Sequence, residues 1–286
     1  MPVIENGLSP DWSYRSSGII WRILVDETGY IVGESRDQQK KEASFFALSE
    51  REGTELWSGL TLDESWWVGM EAVERGILYL HTYEQPNLPA HQGIWAVDVK
   101  TGKILWQSPD VSFLFVHGEN VYTHKSLFER RAFVGMNRLS GELADPPEID
   151  HKTIQNYRQR ALDRASRELC AYPLVYNSSQ VSPKVAEIVV AETGMKDGGV
   201  SVEYALQGTI LILSYYLPGA SSSPGGPRYE NSFCIHDMRE NECLYRIALD
   251  IQATAPLPDT FFIREGRVYF VKDRHHLFAV RLPNKE

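Results

Sequence analysis

A thirteen-residue frame recurs along this chain and narrows the folds open to it. The clearest copy is Ile94-Trp95-Ala96-Val97-Asp98-Val99-Lys100-Thr101-Gly102-Lys103-Ile104-Leu105-Trp106. Trp95, Val97 and Val99 alternate with other residues, the period-two signature of a half-buried strand. Thr101-Gly102 supplies a turn at which only glycine takes a positive φ cheaply. The second strand then ends on a large aromatic. Ala47, Gly53 and Trp57 sit at the same offsets in an earlier copy, with Ser49 in place of Asp. Gly135 to Leu143 keeps the turn and has Asp145 at the tryptophan position. Ile235 to Tyr245 keeps Asp237, replaces the glycine by Asn241 and ends on Tyr245. Asparagine is the next-best residue for a left-handed turn.

A second unit precedes each copy: an apolar strand, a turn with glycine, and another apolar strand. Its turn glycines are Gly29, Gly76, Gly118, Gly208 and Gly266, separated by 47, 42, 90 and 58 residues. Two hairpins make one four-stranded antiparallel sheet, which cannot bury both faces alone, so copies must stack. Such sheets at roughly 40–50 residues are the blades of a β-propeller. The 90-residue gap has room for two blades, and Tyr172 to Asn177 and Ala186 to Ala191 are strand-like, so a degenerate blade is expected there. The expectation is an all-β chain, residues 1–286 as one propeller domain of six blades, with five and seven as alternatives. Gly18-Ile19-Ile20-Trp21 is expected to supply the missing fourth strand of the last blade, which removes an exposed sheet edge. Thr153 to Leu169 places Ile154, Tyr157, Ala161, Leu162, Ala165 and Leu169 at helical spacing, which predicts one inserted helix at about 150–170 that covers a blade edge.

The frame Ala96-x-Asp98-x-x-Thr101-Gly102-x-x-x-Trp106 resembles the quinoprotein-type propeller repeat, A-x-D-x-x-T-G-x-x-x-W. Ala47, Gly53 and Trp57 match it in the first blade, and Asp237 and Tyr245 match in part. The resemblance implies structural roles: the tryptophan packs on the neighbouring blade, and the Asp and Gly form the turn. It speaks to fold and not to activity. Enzymes of that family bind pyrroloquinoline quinone with calcium, commonly in eight blades and often beside a vicinal Cys-Cys. Cys170, Cys234 and Cys243 include no such pair and the chain is short for eight blades, so the quinone is not expected, and no other cofactor is predicted. The overall pattern, with Gly33-Glu34-Ser35-Arg36-Asp37, also resembles an uncharacterised bacterial family of such propellers.

Net charge is −9, which argues against a nucleic-acid partner. Three cysteines without C-x-x-C spacing point to reduced thiols and away from a metal site, and no run reaches the ~18 apolar residues of a membrane span. The N-terminus lacks a basic region followed by an apolar one, so a cytoplasmic location is expected. No G-x-S-x-G, P-loop, G-x-G-x-x-G or H-E-x-x-H occurs.

In a blade, the second-to-third and fourth-to-first connections share one face of the disc. That gathers five long loops, Ser35–Glu42, Tyr83–Gly93, His124–Arg131, Leu217–Ser232 and Lys272–His276. The candidate ligand-binding residues there are Arg36, Asp37, Trp66, Tyr83, His91, His124, Arg130, Arg228, Arg274 and His276. Their basic and aromatic character points to a mouth for a protein or a small anionic ligand. Trp66 and Trp67 are adjacent in an extended segment, so they point to opposite sides. His81 shares a strand face with Tyr83, and Glu34 shares one with Arg36 as a buried ion pair. Glu34 with Asp37 is a weaker acid/base candidate. Ser221 to Pro227 reads as a mobile loop tip. The functional expectation is a binding or scaffold propeller. The alternative is a hydrolase or lyase acting on a glycan or another anionic substrate at the mouth.

Overall fold

A computed structural model describes residues 4–5, 7–84, 90–128, 130–146, 148–165, 169–195, 201–219 and 227–283. The loop tip at 221–226 lies outside them. The chain divides into two units: Met1–Ser16 with Cys170–Glu286 (unit one) and Ser17–Leu169 (unit two). The architecture is all-β and propeller-like. Five antiparallel sheets are present among the described residues, three of them four-stranded. Unit one begins with β1 (Ile4–Glu5) and β2 (Pro10–Arg15).

Unit two holds three sheets in chain order. The first is β3 (Ile19–Val25), β4 (Tyr30–Asp37), β5 (Glu42–Ser49) and β6 (Glu55–Leu60). The second is β7 (Val68–Glu74), β8 (Ile77–Tyr83), β9 (His91–Asp98) and β10 (Ile104–Ser108). The third is β11 (Ser112–His117), β12 (Asn120–Ser126) and β13 (Arg131–Asn137). Isolated bridges from Leu143 to Met136 and from Ile149 to Phe133 stand where a fourth strand would lie. Alternation along the strands builds the two interfaces between these sheets. Val32, Phe45 and Ala47 of the first sheet bury against Val68, Met70 and Leu80 of the second. Tyr79, Ile94 and Ala96 on its other face bury against Val116, Val121 and Met136 of the third.

The repeat residues do the joining. Asp98 Oδ1 accepts from the Thr101 amide at 2.8 Å and from its hydroxyl at 2.7 Å. The amides of Gly53, Gly102 and Gly141 each donate to the carbonyl four residues earlier at 2.8 Å, so the three turns share one hydrogen bond. Each tryptophan then lies on the turn of the next sheet. Trp57 Nε1 donates to Val99 O at 2.6 Å, and Trp106 Nε1 donates to Arg138 O at 2.9 Å. A Cβ on Gly102 would stand 2.9 Å from the Trp57 ring, and one on Gly141 would stand 2.8 Å from Trp106. Glycine is therefore required at Gly102 and Gly141 twice over, for φ near +70° and for the close approach of the indole. The predicted helix forms as α1 (His151–Ala165), starting two residues earlier than expected, with Asp150 accepting from the amides of Lys152 and Thr153. It covers the third sheet with buried Ile154 and with Tyr157, whose ring lies 5.1 Å from that of Tyr122.

Unit one holds β14 (Leu174–Val175), α2 (Pro183–Thr193), β15 (Ser201–Gln207), β16 (Ile210–Pro218), β17 (Tyr229–Asp237), β18 (Glu242–Ala253), β19 (Phe261–Arg264), β20 (Arg267–Lys272) and β21 (His276–Arg281). One sheet runs β1-β18-β17-β16-β15-β14, and the other runs β19-β20-β21-β2. Phe233, Ile235, Tyr245 and Ile247 of the first bury against Phe261, Phe270 and Val280 of the second. Tyr245, at the tryptophan position of the repeat, is fully buried there, and Asn241 takes φ 55° at the glycine position. Asp237 Oδ1 accepts from Arg239 N at 2.9 Å, closing the same turn.

Two expectations are corrected here. Of the two segments expected to build a degenerate blade between Gly118 and Gly208, Tyr172–Asn177 contains the short strand β14, which pairs with β15, and among the described residues no separate sheet forms there. Ala186–Ala191 is part of α2, because Ser182 accepts from Val185 N as an N-cap, Pro183 opens the first turn and Gly194 closes the last at φ 71°. Val185, Ile188 and Val189 then bury one helix face against Leu211, Leu213 and Cys234. The strand that completes the last sheet is Pro10–Arg15, paired along β21, while Ile19–Val25 opens the first sheet of unit two. Edge removal was the right physical reason, attached to the wrong segment.

Candidate functional site

The loop-side ends of the first two sheets of unit two carry a polar cluster. Glu34 and Arg36 lie two apart on β4 and form the expected ion pair, Arg36 Nε to Glu34 Oε1 at 2.6 Å. The other guanidinium nitrogens of Arg36 donate to Trp66 O at 3.1 Å and Val68 O at 2.6 Å, tying β4 to the entry of β7. Arg36 is thus a strand residue with its donors spent inside the unit. Glu64 holds the segment before β7 by accepting from the amides of Trp66 and Trp67, and those bonds lower its carboxyl pKa. The two indoles part as expected. The Trp66 ring has Arg36 at 4.9 Å and Lys41 at 4.8 Å from its centroid, while Trp67 is exposed and meets Tyr83 edge-on at 6.1 Å.

Beside these lies a group drawn from three strands. Glu71 (β7), His81 (β8) and His91 (β9) place one carboxylate and two imidazoles together. Two β-bulges build it. Met70 pairs with Leu80 and Ala72 with Tyr79, so Glu71 is an inserted residue. Between β8 and β9 the register jumps from Leu80↔Trp95 to Thr82↔Gln92, opposite His81. A bulge re-aims the extra side chain and increases the local twist, and bulges concentrate next to active sites. His91 Nδ1 lies 2.8 Å and His81 Nδ1 3.2 Å from the same oxygen, Glu71 Oε1. The two rings stack at 3.6 Å with 9° between their planes, and the Tyr83 ring meets both edge-on at 5.2 Å. Gly69, paired with His81, leaves the room: a Cβ there would stand 3.0 Å from the imidazole.

The electrostatics follow from burial. Side-chain exposure is 4% for His81, 15% for Glu71 and 37% for His91, so the group is closed at one end and open at the other. Burial pushes the Glu71 carboxyl up, but the neighbouring His81 and His91 outweigh it and hold the pKa below the usual carboxylate range. His81 is buried with neither ring nitrogen in a hydrogen bond. Its Nδ1 keeps the Glu71 carboxylate beside it at 3.2 Å, so only Nε2 lacks a neighbouring polar partner.

The remaining candidates divide between the units. In unit two, Asp37 accepts from Gln39 N and Lys40 N and serves its own exposed turn. His124 is in β12, opposite Ser112, whose hydroxyl donates to His91 O at 2.8 Å. Burial, helped by Arg131, lowers the His124 pKa. Arg130 is exposed and paired with Glu148. In unit one, Arg228 donates weakly to Gln252 O at 3.4 Å, Arg274 is exposed at φ 60°, and His276 opens β21 with its ring 6.4 Å from Phe278. Arg36, Trp66, Tyr83 and His91 are brought to one edge of unit two. Glu71, the carboxylate that meets His91, was missed. Its signal is a break in period: the buried apolar residues of β7 run Val68, Met70, Val73, an even step followed by an odd one.

Unit one carries a second cluster that sequence reasoning missed entirely. Glu192 of α2 accepts from Tyr215 Oη at 2.9 Å, contacts His236 Nε2 at 3.0 Å and pairs with Arg246. Cys234 and Cys243 lie on the same hairpin as His236. Burial raises the Cys234 thiol to about 11, whereas His236 and Arg246 overcome the burial of Cys243 and lower its thiol. Burial disfavours the charged form of His236, but its bonds to Cys234, Cys243 and Glu192 prevail and raise its pKa.

Fold and site together define a protein of propeller-type blades with a histidine-rich polar edge. Residues 25–106, which contain the Glu71, His81 and His91 group, match the family described as "Domain of unknown function (DUF4905)". No curated protein matches the chain. Among solved structures, the chain is similar to the β-propeller domain of the Trilobed protease from Pyrococcus furiosus, with 9% identity and a TM-score of 0.32. That likeness covers 88% of this chain and 64% of the other, so the chain spans less than two thirds of that neighbour. It is also similar to an uncharacterised protein from Listeria monocytogenes, with 7% identity, a TM-score of 0.34, and 95% of this chain and 97% of the other covered. No helix among the described residues is long and apolar enough to cross a membrane.

Proposed function

We propose that this chain is a binding protein that holds a small ligand at the loop edge of unit two. One observation carries this reading: Trp67, Tyr83 and His91 form an accessible aromatic wall beside the Glu71 and His81 floor. Trp67 is the indole available for stacking, because Arg36 and Lys41 lie over Trp66. Arg36 and Arg130 are matched by Glu34 and Glu148, so the wall favours a ligand that stacks, such as a sugar ring or a planar group, over one held by arginines. The test is a thermal-shift screen of the full chain against sugars, phosphates and planar amines, repeated with Trp67→Ala and Tyr83→Ala. Loss of the shift in both variants is the expected result. A stabilising hit that survives both would refute the placement.

A hydrolase or lyase acting on a glycan is the second reading. It is favoured by Glu71, whose oxygen lies within 3.2 Å of two imidazoles, the composition of a general acid/base pair. Turnover of a glycan panel that disappears in Glu71→Gln would support it. The kinship of the repeat with the quinoprotein-type frame belongs to the same proposal, at the level of architecture, and the Asp98 turn and the two glycine-seated tryptophans support it. So does a cytoplasmic location, supported by three cysteines that form no disulfide.

A further inference from the structure

We propose that the corner between Trp67 and Tyr83 takes a small organic cation whose charge sits on an alkylated ammonium group; this rests on the reading of that edge as a ligand site and supplies the class of the ligand. Three observations converge on it.

The first is ring geometry. The Tyr83 amide donates to Trp67 O at 3.0 Å, so paired backbone at the loop end of β7 and β8 carries both side chains. Their rings stand at 83° with centroids 6.1 Å apart, and the His91 ring stands at 86° to Tyr83. Rings at right angles make a corner and not a shelf. A sugar ring stacks on one broad face, whereas a compact, roughly spherical trimethylammonium head meets two faces at once. An aromatic face is negative, and it attracts a cation within about 6 Å of the ring centroid, tryptophan most strongly.

The second is where the chain's own cations lie. Arg36 and Lys41 stand over Trp66, and Arg36 also stands 5.4 Å from the Trp21 centroid. Trp66 therefore already holds the kind of group proposed for Trp67. Among the described residues no arginine or lysine lies over Trp67 or Tyr83. Arg22, the remaining arginine beside β7, donates to Met70 O.

The third is the charge left at the wall. Glu64 Oε1 accepts from the Trp67 amide at 3.0 Å, and Glu71 Oε1 lies 2.8 Å from His91 Nδ1, so each end of the wall holds a carboxylate. The amides of Trp67 and Trp66 keep the Glu64 carboxyl below its usual range, and at Glu71 the imidazoles do so against the effect of burial. Both are ionised at neutral pH. Glu34, by contrast, is matched by Arg36. Negative ring faces flanked by two carboxylates, with the neighbouring arginines and lysine engaged elsewhere, attract a cation and repel an anion. The residues that pointed to an anion, Arg36 and Arg130, are both paired.

The test titrates the full chain, by calorimetry, with choline and with 3,3-dimethyl-1-butanol, its uncharged isostere. Choline is expected to bind at one site per chain and at least about tenfold more tightly than the isostere, the gain that cation–π contact brings. Added sodium chloride weakens choline and leaves the isostere unchanged. Trp67→Phe, which keeps a weaker ring, lowers choline affinity about threefold, and Trp67→Ala lowers it about tenfold or more. Trp67 is exposed, so both variants retain the circular dichroism spectrum of the parent. The proposal is overturned if choline does not bind, if the isostere binds equally well, or if Trp67→Ala binds choline unchanged. A chain that ignores choline yet binds a neutral sugar, and loses it with Trp67→Ala, would sink this assignment and leave the ligand site intact. A ligand of any class that survives both Trp67→Ala and Tyr83→Ala would remove the two together.

Discussion

Two clusters in this protein are built from nearly the same residue types and end in opposite states. In unit one, Glu192 is buried with a full set of partners: Tyr215, His236 and Arg246 converge on its two oxygens. In unit two, Glu71 is also mostly buried, but it faces two imidazoles through one oxygen, and His81 is left without a hydrogen bond. A satisfied polar network rigidifies the elements that share it, and a partly satisfied one stores a cost. The first joins α2 to three neighbouring strands. The second joins nothing that the flanking bulges do not already hold, and it opens to the surface at His91. Glu192 is therefore part of the fold, and Glu71 lies in the site proposed here.

That contrast has measurable consequences. The largest is on stability. Glu192→Ala leaves Arg246 and His236 without their carboxylate, and breaking a buried pair from one side costs about 3–5 kcal/mol. Because Arg246 keeps 30% exposure, the lower end is expected in urea unfolding at neutral pH. Glu71→Ala is expected to cost less, about 1–2 kcal/mol, since the hydrogen bond it removes is to His91, whose ring is partly exposed to water. Equal losses would collapse the distinction between the clusters.

Thiol reactivity follows. The Cys243 thiol is lowered and half-buried, and the Cys234 thiol is raised and fully buried. Iodoacetamide is expected to modify native Cys243 at least about tenfold faster than Cys234, read by peptide mass mapping. Comparable rates would show that His236 and Arg246 do not polarise Cys243.

The acid limb of stability comes next. Burial raises the Glu192 carboxyl, but His236, Tyr215 and Arg246 outweigh it, and its folded pKa lies below the ordinary 4.5. On acidification the unfolded chain takes up this proton first. The stabilisation is complete above the ordinary value and is lost as pH falls through the folded one. Glu192→Gln should therefore flatten the dependence of stability on pH below about 4.5. An unchanged acid limb would mean that other carboxylates control it. The smallest effect belongs to the wall of the site. Trp67→Ala is expected to leave unfolding free energy within about 0.5 kcal/mol while abolishing any ligand-induced change in tryptophan fluorescence.

The blade frame was readable because its chemistry is local. Asp98, Thr101 and Gly102 make their turn among themselves, and Gly53, Asn137 with Gly141, and Asp237 with Asn241 repeat it under substitution. The helix α1 was readable from spacing. The helix α2 was misread because Ile188, Val189 and Val190 form a β-branched run, although Ser182-Pro183 and Gly194 mark its ends in the sequence. Four of the candidate residues met on one edge because Arg36, Tyr83 and His91 lie at strand ends of the first two sheets and Trp66 stands just before β7. The cluster could not be found by spacing: Glu71, His81 and His91 share no short motif, and a bulge decides which way Glu71 faces.

Period, turn chemistry and terminal aromatics are properties of a few consecutive residues, and they were enough to specify antiparallel blades that must stack. Which strand completes the last sheet, which arginines are already paired, and which carboxylate stands over two imidazoles depend on residues far apart in the chain. A single inserted residue reverses every side chain beyond it, and whether a strand absorbs that residue as a bulge is settled by its partners across the sheet. Those contacts exist only once the sheets have formed, so tertiary structure alone places the site.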